Sequence, residues 1–381
     1  MRLFFVTFFI GLQIISFAQK KQLSNQLIWS SREFAPEYVY SVASMNDGEH
    51  FSAIENNKIV KYSYKNFSKI VEVILDGNEF TGLEIEDYFF NADETKVLVA
   101  TKVNSIYRRS FTAEYYVIDL KTKKMSKLFD GGPQMLADFS PDGTKVAFVH
   151  ANNLYIRNLA DNSLEQITTD GKQNAIINGS TDWVYEEEFE VTKAFYWSPN
   201  STKIAYLKFN ESHVKDFTME YYNGGTYPEP YTFKYPKAGE DNSKLSLKVY
   251  SLKDKSTRGI NYGNYEYVPR MKWSNDDNHL IFLTMNRHQS ELNYMDADCS
   301  VSGDIAGKVI YTDKSDTYVE VDNNLIFLKN KNAFLRTSEK DGFKHIYLVG
   351  MDGKSETQIT KGSWDVIELK GINESTGLVY Y

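Results

Sequence analysis

One cysteine, Cys299, stands in 381 residues. That excludes an internal disulfide framework and any cysteine-rich zinc site. The six histidines are scattered, with no i,i+4 pair and no His-x-Glu, so no metal site is expected and no cofactor is called for. Positive charge is in deficit: the net charge of −8 argues against a nucleic-acid groove, which needs a basic footprint. Proline is sparse, at eight residues. No Gly-x-Ser-x-Gly string occurs, so the strained strand-to-helix turn that presents a hydrolase serine is missing. The one long apolar run, residues 3–17 behind Arg2, is too short for a comfortable membrane span. Ser16-Phe17-Ala18 offers the small-residue spacing of a signal cleavage site, so residues 1–18 read as a signal peptide cut before Gln19, with an uncleaved anchor as the other reading. Either way the body is expected to be exported, periplasmic or extracellular. After cleavage no stable membrane span is expected.

Aromatics are plentiful, at 15%, and suit pleated strands. Behind a lead-in at 19–40, a two-part unit recurs. Its first part is a tight turn followed by an apolar strand. The turns are Met45-Asn46-Asp47-Gly48, Asn91-Ala92-Asp93-Glu94, Ser140-Pro141-Asp142-Gly143, Ser198-Pro199-Asn200-Ser201 and Ser274-Asn275-Asp276-Asp277. Asp, Asn, Pro and Gly serve such turns for separate reasons of hydrogen bonding and φ preference. The second part is an alternating strand with a return strand, as in 153–157 and 345–349, the pattern of half-buried strands. The first two spacings match one four-stranded propeller blade, roughly 40–50 residues. The next two are longer and imply insertions, the larger at 211–238. A sixth unit runs over about 322–360 and a seventh has barely begun by Tyr381. The expected fold class is therefore all-β: an incomplete propeller of four-stranded blades over 41–381, about six blades plus the start of a seventh.

The segment Asp182-Trp183-Val184-Tyr185-Glu186-Glu187-Glu188-Phe189 precedes Trp197-Ser198-Pro199. A run of like charge by itself usually faces water. As a whole string, however, it resembles the dipeptidyl peptidase IV branch of the prolyl oligopeptidase family. Three further patches match in order: Tyr107-Arg108-Arg109-Ser110-Phe111-Thr112-Ala113-Glu114-Tyr115; Lys208-Phe209-Asn210-Glu211 with Tyr235-Pro236-Lys237-Ala238-Gly239; and Asp341-Gly342-Phe343-Lys344-His345-Ile346 with Ile359-Thr360-Lys361-Gly362-Ser363-Trp364. The resemblance covers essentially everything after the signal segment. It implies an eight-bladed propeller paired, in the family, with a carboxyl-terminal α/β-hydrolase domain, which is expected to be absent from this chain. The chain alone is therefore expected to be inactive.

By the same resemblance, Glu187 and Glu188 bind the free amine of a peptide substrate. Arg108 meets the substrate's first carbonyl, with Arg109 as fallback, and Asp182, Trp183 and Tyr185 are positioning residues. No catalytic residue is expected in this chain. Neighbouring helical residues point about 100° apart, so the two glutamates can share one ligand only at a helix end or in a turn. The implied function is the substrate-gating propeller portion of an exported serine dipeptidyl peptidase that removes Xaa-Pro or Xaa-Ala from peptide amino termini. The alternative is a non-catalytic protein-binding propeller module. A sugar-binding propeller fits the aromatic content but not the acidic string. The insertion at 214–235, bounded by Val214 and Tyr235, matches an arm that in relatives contributes to a homodimer. Asn242-Ser243 stands where relatives often carry Asn-Pro, in a turn expected to lie apart from the site. His345 reads as a hydrogen-bonded strand residue rather than a ligand.

Overall fold

The computed structural model describes residues 22–36 and 40–381. The expected signal peptide at 1–18 lies outside the described residues, as does part of the lead-in. Residues 22–36 belong to a unit of their own. They form one short helix, α1 (Asn25–Trp29), whose N-cap Ser24 accepts the amide of Leu27 at 3.1 Å. No helix among the described residues is long and apolar enough to cross a membrane.

The second unit, Ser41–Tyr381, is built almost wholly of antiparallel sheets. Blade 1 pairs Tyr40–Ser44, His50–Glu55, Lys58–Ser63 and Asn66–Asp76. Blade 2 pairs Asp87–Phe90, Lys96–Ser105, Phe111–Asp119 and Met125–Lys127, and blade 3 Met135–Phe139, Lys145–His150, Asn153–Asn158 and Leu164–Gln166. Blade 4 consists of Phe195–Trp197, Lys203–Asn210, Lys244–Ser251 and Ser256–Asn261. Blade 5 consists of Met271–Trp273, His279–Met285, Glu291–Asp298 and Ile305–Lys314. The last strands of these two are joined by a short parallel pairing, Ile260 with Ile305 and Asn261 with Ala306, so that, with strand Ile176–Asn178 paired to Lys203–Asn210, they form one nine-stranded sheet. Blade 6 runs from Ile326–Phe327 through Ala333–Ser338 and His345–Gly350 to Glu356–Gln358. The pair Gly371–Asn373 and Leu378–Tyr380 follows. This is the β-propeller architecture the repeat predicts.

Each sheet buries one face against the next. Leu75 of blade 1 packs with Val97, Val99 and Ile118 of blade 2. Phe139, Val146 and Phe148 of blade 3 meet Leu98 and Tyr115 of blade 2. Each such apolar side chain contributes about 1.5–3 kcal/mol on full burial. The turns are equally repetitive. The side chain of the first turn residue accepts the amide five positions on: Asn91 from Lys96 at 2.8 Å, Ser140 from Lys145 at 3.0 Å, and Ser198 from Lys203 at 2.9 Å. Turns also fasten blade to blade, with the Asp142 amide donating to Ser201 Oγ at 3.0 Å and the Asn200 amide to Asp277 Oδ1 at 2.8 Å.

Two insertions depart from the blade plan. Blade 4 is preceded by strand Ile176–Asn178 and a helix, α2 (Trp183–Glu188). Between its second and third strands an exposed hairpin, Asp216–Tyr221 with Glu229–Lys234, forms the arm.

Candidate amine-binding site

α2 starts where Asp182 stops being extended. Its Oδ1 accepts the amide of Tyr185 at 3.0 Å, the N-cap that removes one orphan donor. Six residues later it ends at Phe189, and Glu190 follows with φ +57, the left-handed conformation that closes many helices. Glu187 and Glu188 are therefore the last two helical residues. That is the helix-end placement their convergence requires.

Arg108 reaches α2 from blade 2. Strands Lys96–Ser105 and Phe111–Asp119 form a long hairpin, bulged between Thr101 and Asn104, with a tight turn in which the Ile106 amide donates to Ser110 O at 2.8 Å. At its tip Arg108 grips Glu187 with two nitrogens: Nε to Oε2 at 3.1 Å and Nη2 to Oε1 at 2.8 Å. The Arg108 side chain is 68% exposed and that of Glu187 27%. An exposed pair of this kind stabilises a fold by about 0–1 kcal/mol, so stability does not account for it. Glu188 is exposed and has no ion-pair partner among the described residues. Arg109 takes a different role: Nη1 donates to the Glu186 carbonyl at 3.2 Å and Nη2 to Glu190 Oε1 at 2.6 Å. The structure thus brings Arg108 to Glu187 and Arg109 to Glu190.

Glu186, the first of the three glutamates, is the residue that sequence reasoning missed. It is 2% exposed, and its Oε1 accepts the amides of Arg109 at 2.7 Å and Ser110 at 2.8 Å. One buried carboxylate thereby locks the blade 2 hairpin tip to α2. Nothing in a Glu-Glu-Glu run marks which member turns inward.

Tyr185, Trp183 and Asp182, the three residues expected to position the site, all touch neighbours that hold α2. Tyr185 is buried, and its hydroxyl accepts the Val268 amide at 2.8 Å, while its ring packs on Phe189 and Phe209. Trp183 packs on Tyr235 at the base of the arm, with ring centroids 4.3 Å apart. Asp182 is buried, and Ser243 Oγ donates to its Oδ2 at 2.6 Å. Burial pushes the Asp182 carboxyl above its ordinary pKa, opposed by the Ser243 and Tyr185 hydrogen bonds. The expectation that the Asn242-Ser243 turn lies apart from the site is therefore corrected. The serine hydroxyl supports the N-cap of the site helix, and a contact between residues 61 apart leaves no local trace in sequence. His345 is fully buried, with Nδ1 3.2 Å from Thr360 Oγ1 and Nε2 3.0 Å from the Gly362 carbonyl.

Behind α2 lies a cavity of about 90 Å³ lined by Tyr107, Ser110, Asp182, Glu186 and Glu211. Glu211 is buried there, and desolvation, followed by the nearby Asp182 charge, raises its pKa from 4.5 to about 7, with Lys234 opposing. Among the described residues no cluster of three or more His, Cys, Asp or Glu could hold a metal ion.

The fold and the site define a β-propeller that carries an arginine-braced acidic helix end. Comparison with known proteins gives the family. Residues 91–381 match the model of the dipeptidyl peptidase IV N-terminal region. Dipeptidyl peptidase 4 of Felis catus is 29% identical over 369 residues, covering 90% of this chain and 47% of the relative. Prolyl endopeptidase FAP of Mus musculus is 27% identical and covers 87% of this chain and 46% of the relative. The crystal structure of Porphyromonas gingivalis dipeptidyl peptidase 4 superposes with a TM-score of 0.82 at 35% identity, over 90% of this chain and 49% of that one. The chain belongs to the dipeptidyl peptidase IV family, through its N-terminal region. It spans about half the length of these relatives.

Proposed function

We propose that this chain is the substrate-gating propeller portion of an exported serine dipeptidyl peptidase, one that removes Xaa-Pro or Xaa-Ala dipeptides from peptide amino termini. Glu187 and Glu188 bind the substrate amine, and Arg108 braces Glu187 and meets the first carbonyl. The observation that carries the reading is the different engagement of the two glutamates that end α2. Glu187 is held by Arg108, while Glu188 is exposed and has no ion-pair partner among the described residues.

The donor and acceptor arithmetic fits a peptide amino terminus. An α-amine has a pKa of about 7.7–8.0 and is mostly an ammonium at neutral pH, with one positive charge and three donors. Each Glu187 oxygen accepts one bond from Arg108 and keeps a second lone pair. Arg108 uses two of its roughly five N–H donors on Glu187, leaving three for a carbonyl. An acylated amino terminus has no charge and a single donor. It would bury carboxylate without compensation, which costs more than the lost attraction alone.

A ligand-observed NMR titration with alanyl-proline amide and its N-acetyl form tests the assignment. Charge-assisted bonds are worth about 1.5–3 kcal/mol, so Glu187→Gln and Glu188→Gln should each weaken the free-amine ligand by roughly 10- to 100-fold. The acetylated form should be unaffected. Equal binding of the free-amine ligand by wild type and both variants would refute the amine anchor.

A further inference from the structure

A helix of six residues is a poor platform for two side chains that must converge. Its nucleation is costly and its last carbonyls lack partners inside the helix. Asp182 and Tyr185 secure its first turn. The end that carries Glu187 and Glu188 needs a separate restraint, and Arg270 has the geometry for it. It stands just before strand Met271–Trp273 of blade 5, half-buried, with its own carbonyl accepting the Leu283 amide at 2.8 Å.

All three nitrogens of its guanidinium are engaged. Nη2 donates to the carbonyl of Phe189, the C-cap of α2, at 2.7 Å; Nη1 donates to Pro269 O at 2.7 Å; and Nε donates to Asn323 Oδ1 at 2.6 Å. A cation on the last carbonyl of a helix is favourable for hydrogen bonding and for the helix dipole alike. Asn323 itself follows a firm anchor in the strand-free segment 315–325. The neighbouring Asp322 is buried and accepts bonds from Tyr294 Oη at 3.1 Å, the Thr337 amide at 3.0 Å and Thr337 Oγ1 at 2.9 Å.

We propose that Arg270 is a positioning residue for the acidic pair, tying the end of α2 to segment 315–325 so that Glu187 and Glu188 face one ligand. This rests on the amine-binding reading of that pair. Arg270 does not touch the ligand. It acts by holding the Phe189 carbonyl, and with it the direction of the last helical turn.

The test measures, on the full chain, the ratio of affinities for alanyl-proline amide and its N-acetyl form. Wild type is compared with Arg270→Met, Arg270→Lys and Asn323→Ala. Arg270→Met should cut the free-amine preference by about tenfold while leaving acetylated binding unchanged. Arg270→Lys, which keeps one charged donor centre, should recover part of it. Asn323 is exposed, so Asn323→Ala spares the fold and should cut the preference severalfold. It decides the matter if Arg270→Met fails to fold. A wild-type preference retained by the folded variants would overturn the role of Arg270 alone. No preference in wild type would overturn the amine site and this role with it.

Discussion

At the residue scale, the three consecutive glutamates do three different things. Glu186 faces inward and bonds two backbone amides, Glu187 pairs with Arg108, and Glu188 stays open. Glu186→Ala would strand two donors and should destabilise by about 1–3 kcal/mol, read as a lowered thermal midpoint. It should also weaken free-amine binding without touching the ligand. Glu211 makes a pH prediction. Its carboxyl, at about 7 when folded against 4.5 ordinarily, is more protonated folded than unfolded between those values. Stability therefore falls as pH rises through that window. The shift is worth roughly 3 kcal/mol at most. Wild type should lose more stability than Glu211→Gln between pH 5 and pH 8, and parallel pH profiles would contradict it. The glutamate pair and Arg108 stand out in the sequence as candidates because the family resemblance carries them. Glu186, Ser243 and Arg270 do not, since each acts through a partner 61 to 81 positions away.

At the element scale, turns and blade strands were legible because the same local chemistry recurs. Asn91, Ser140 and Ser198 each accept the amide five residues on. The insertion at 214–235 was legible as an interruption of that period, but its second task was not. The base of the arm packs Phe233 against Tyr107 at 5.9 Å and Tyr235 against Trp183 at 4.3 Å, so the arm also buttresses the hairpin tip and α2. Its far end exposes Tyr222 and Tyr227, at 65% and 84%. Exposed aromatics of this kind suit an interface, since they bring area at low entropy cost. We propose homodimerisation through this arm. Replacing Tyr222 and Tyr227 with serine should shift a dimer to monomer in sedimentation velocity while leaving thermal stability unchanged. An unaltered sedimentation coefficient would place the contact elsewhere.

At the scale of the whole molecule, the site is assembled from separate blades. Arg108 and the amides of Arg109 and Ser110 come from blade 2, α2 from the insertion before blade 4, and the Val268 amide and Arg270 from the segment leading into blade 5. The stacking of the blades brings them together. The repeat period therefore predicts the scaffold but not the list of contacts. The union of blades 4 and 5 through the parallel pairing of Ile260 with Ile305 is likewise invisible locally, because two residues of pairing leave no pattern. The most direct measurement is a crystal structure of the chain with alanyl-proline amide bound. The ammonium nitrogen should lie within hydrogen-bonding distance of carboxylate oxygens from both Glu187 and Glu188, with Arg108 on the first carbonyl. An amine turned to solvent, or a dipeptide seated away from the end of α2, would contradict it.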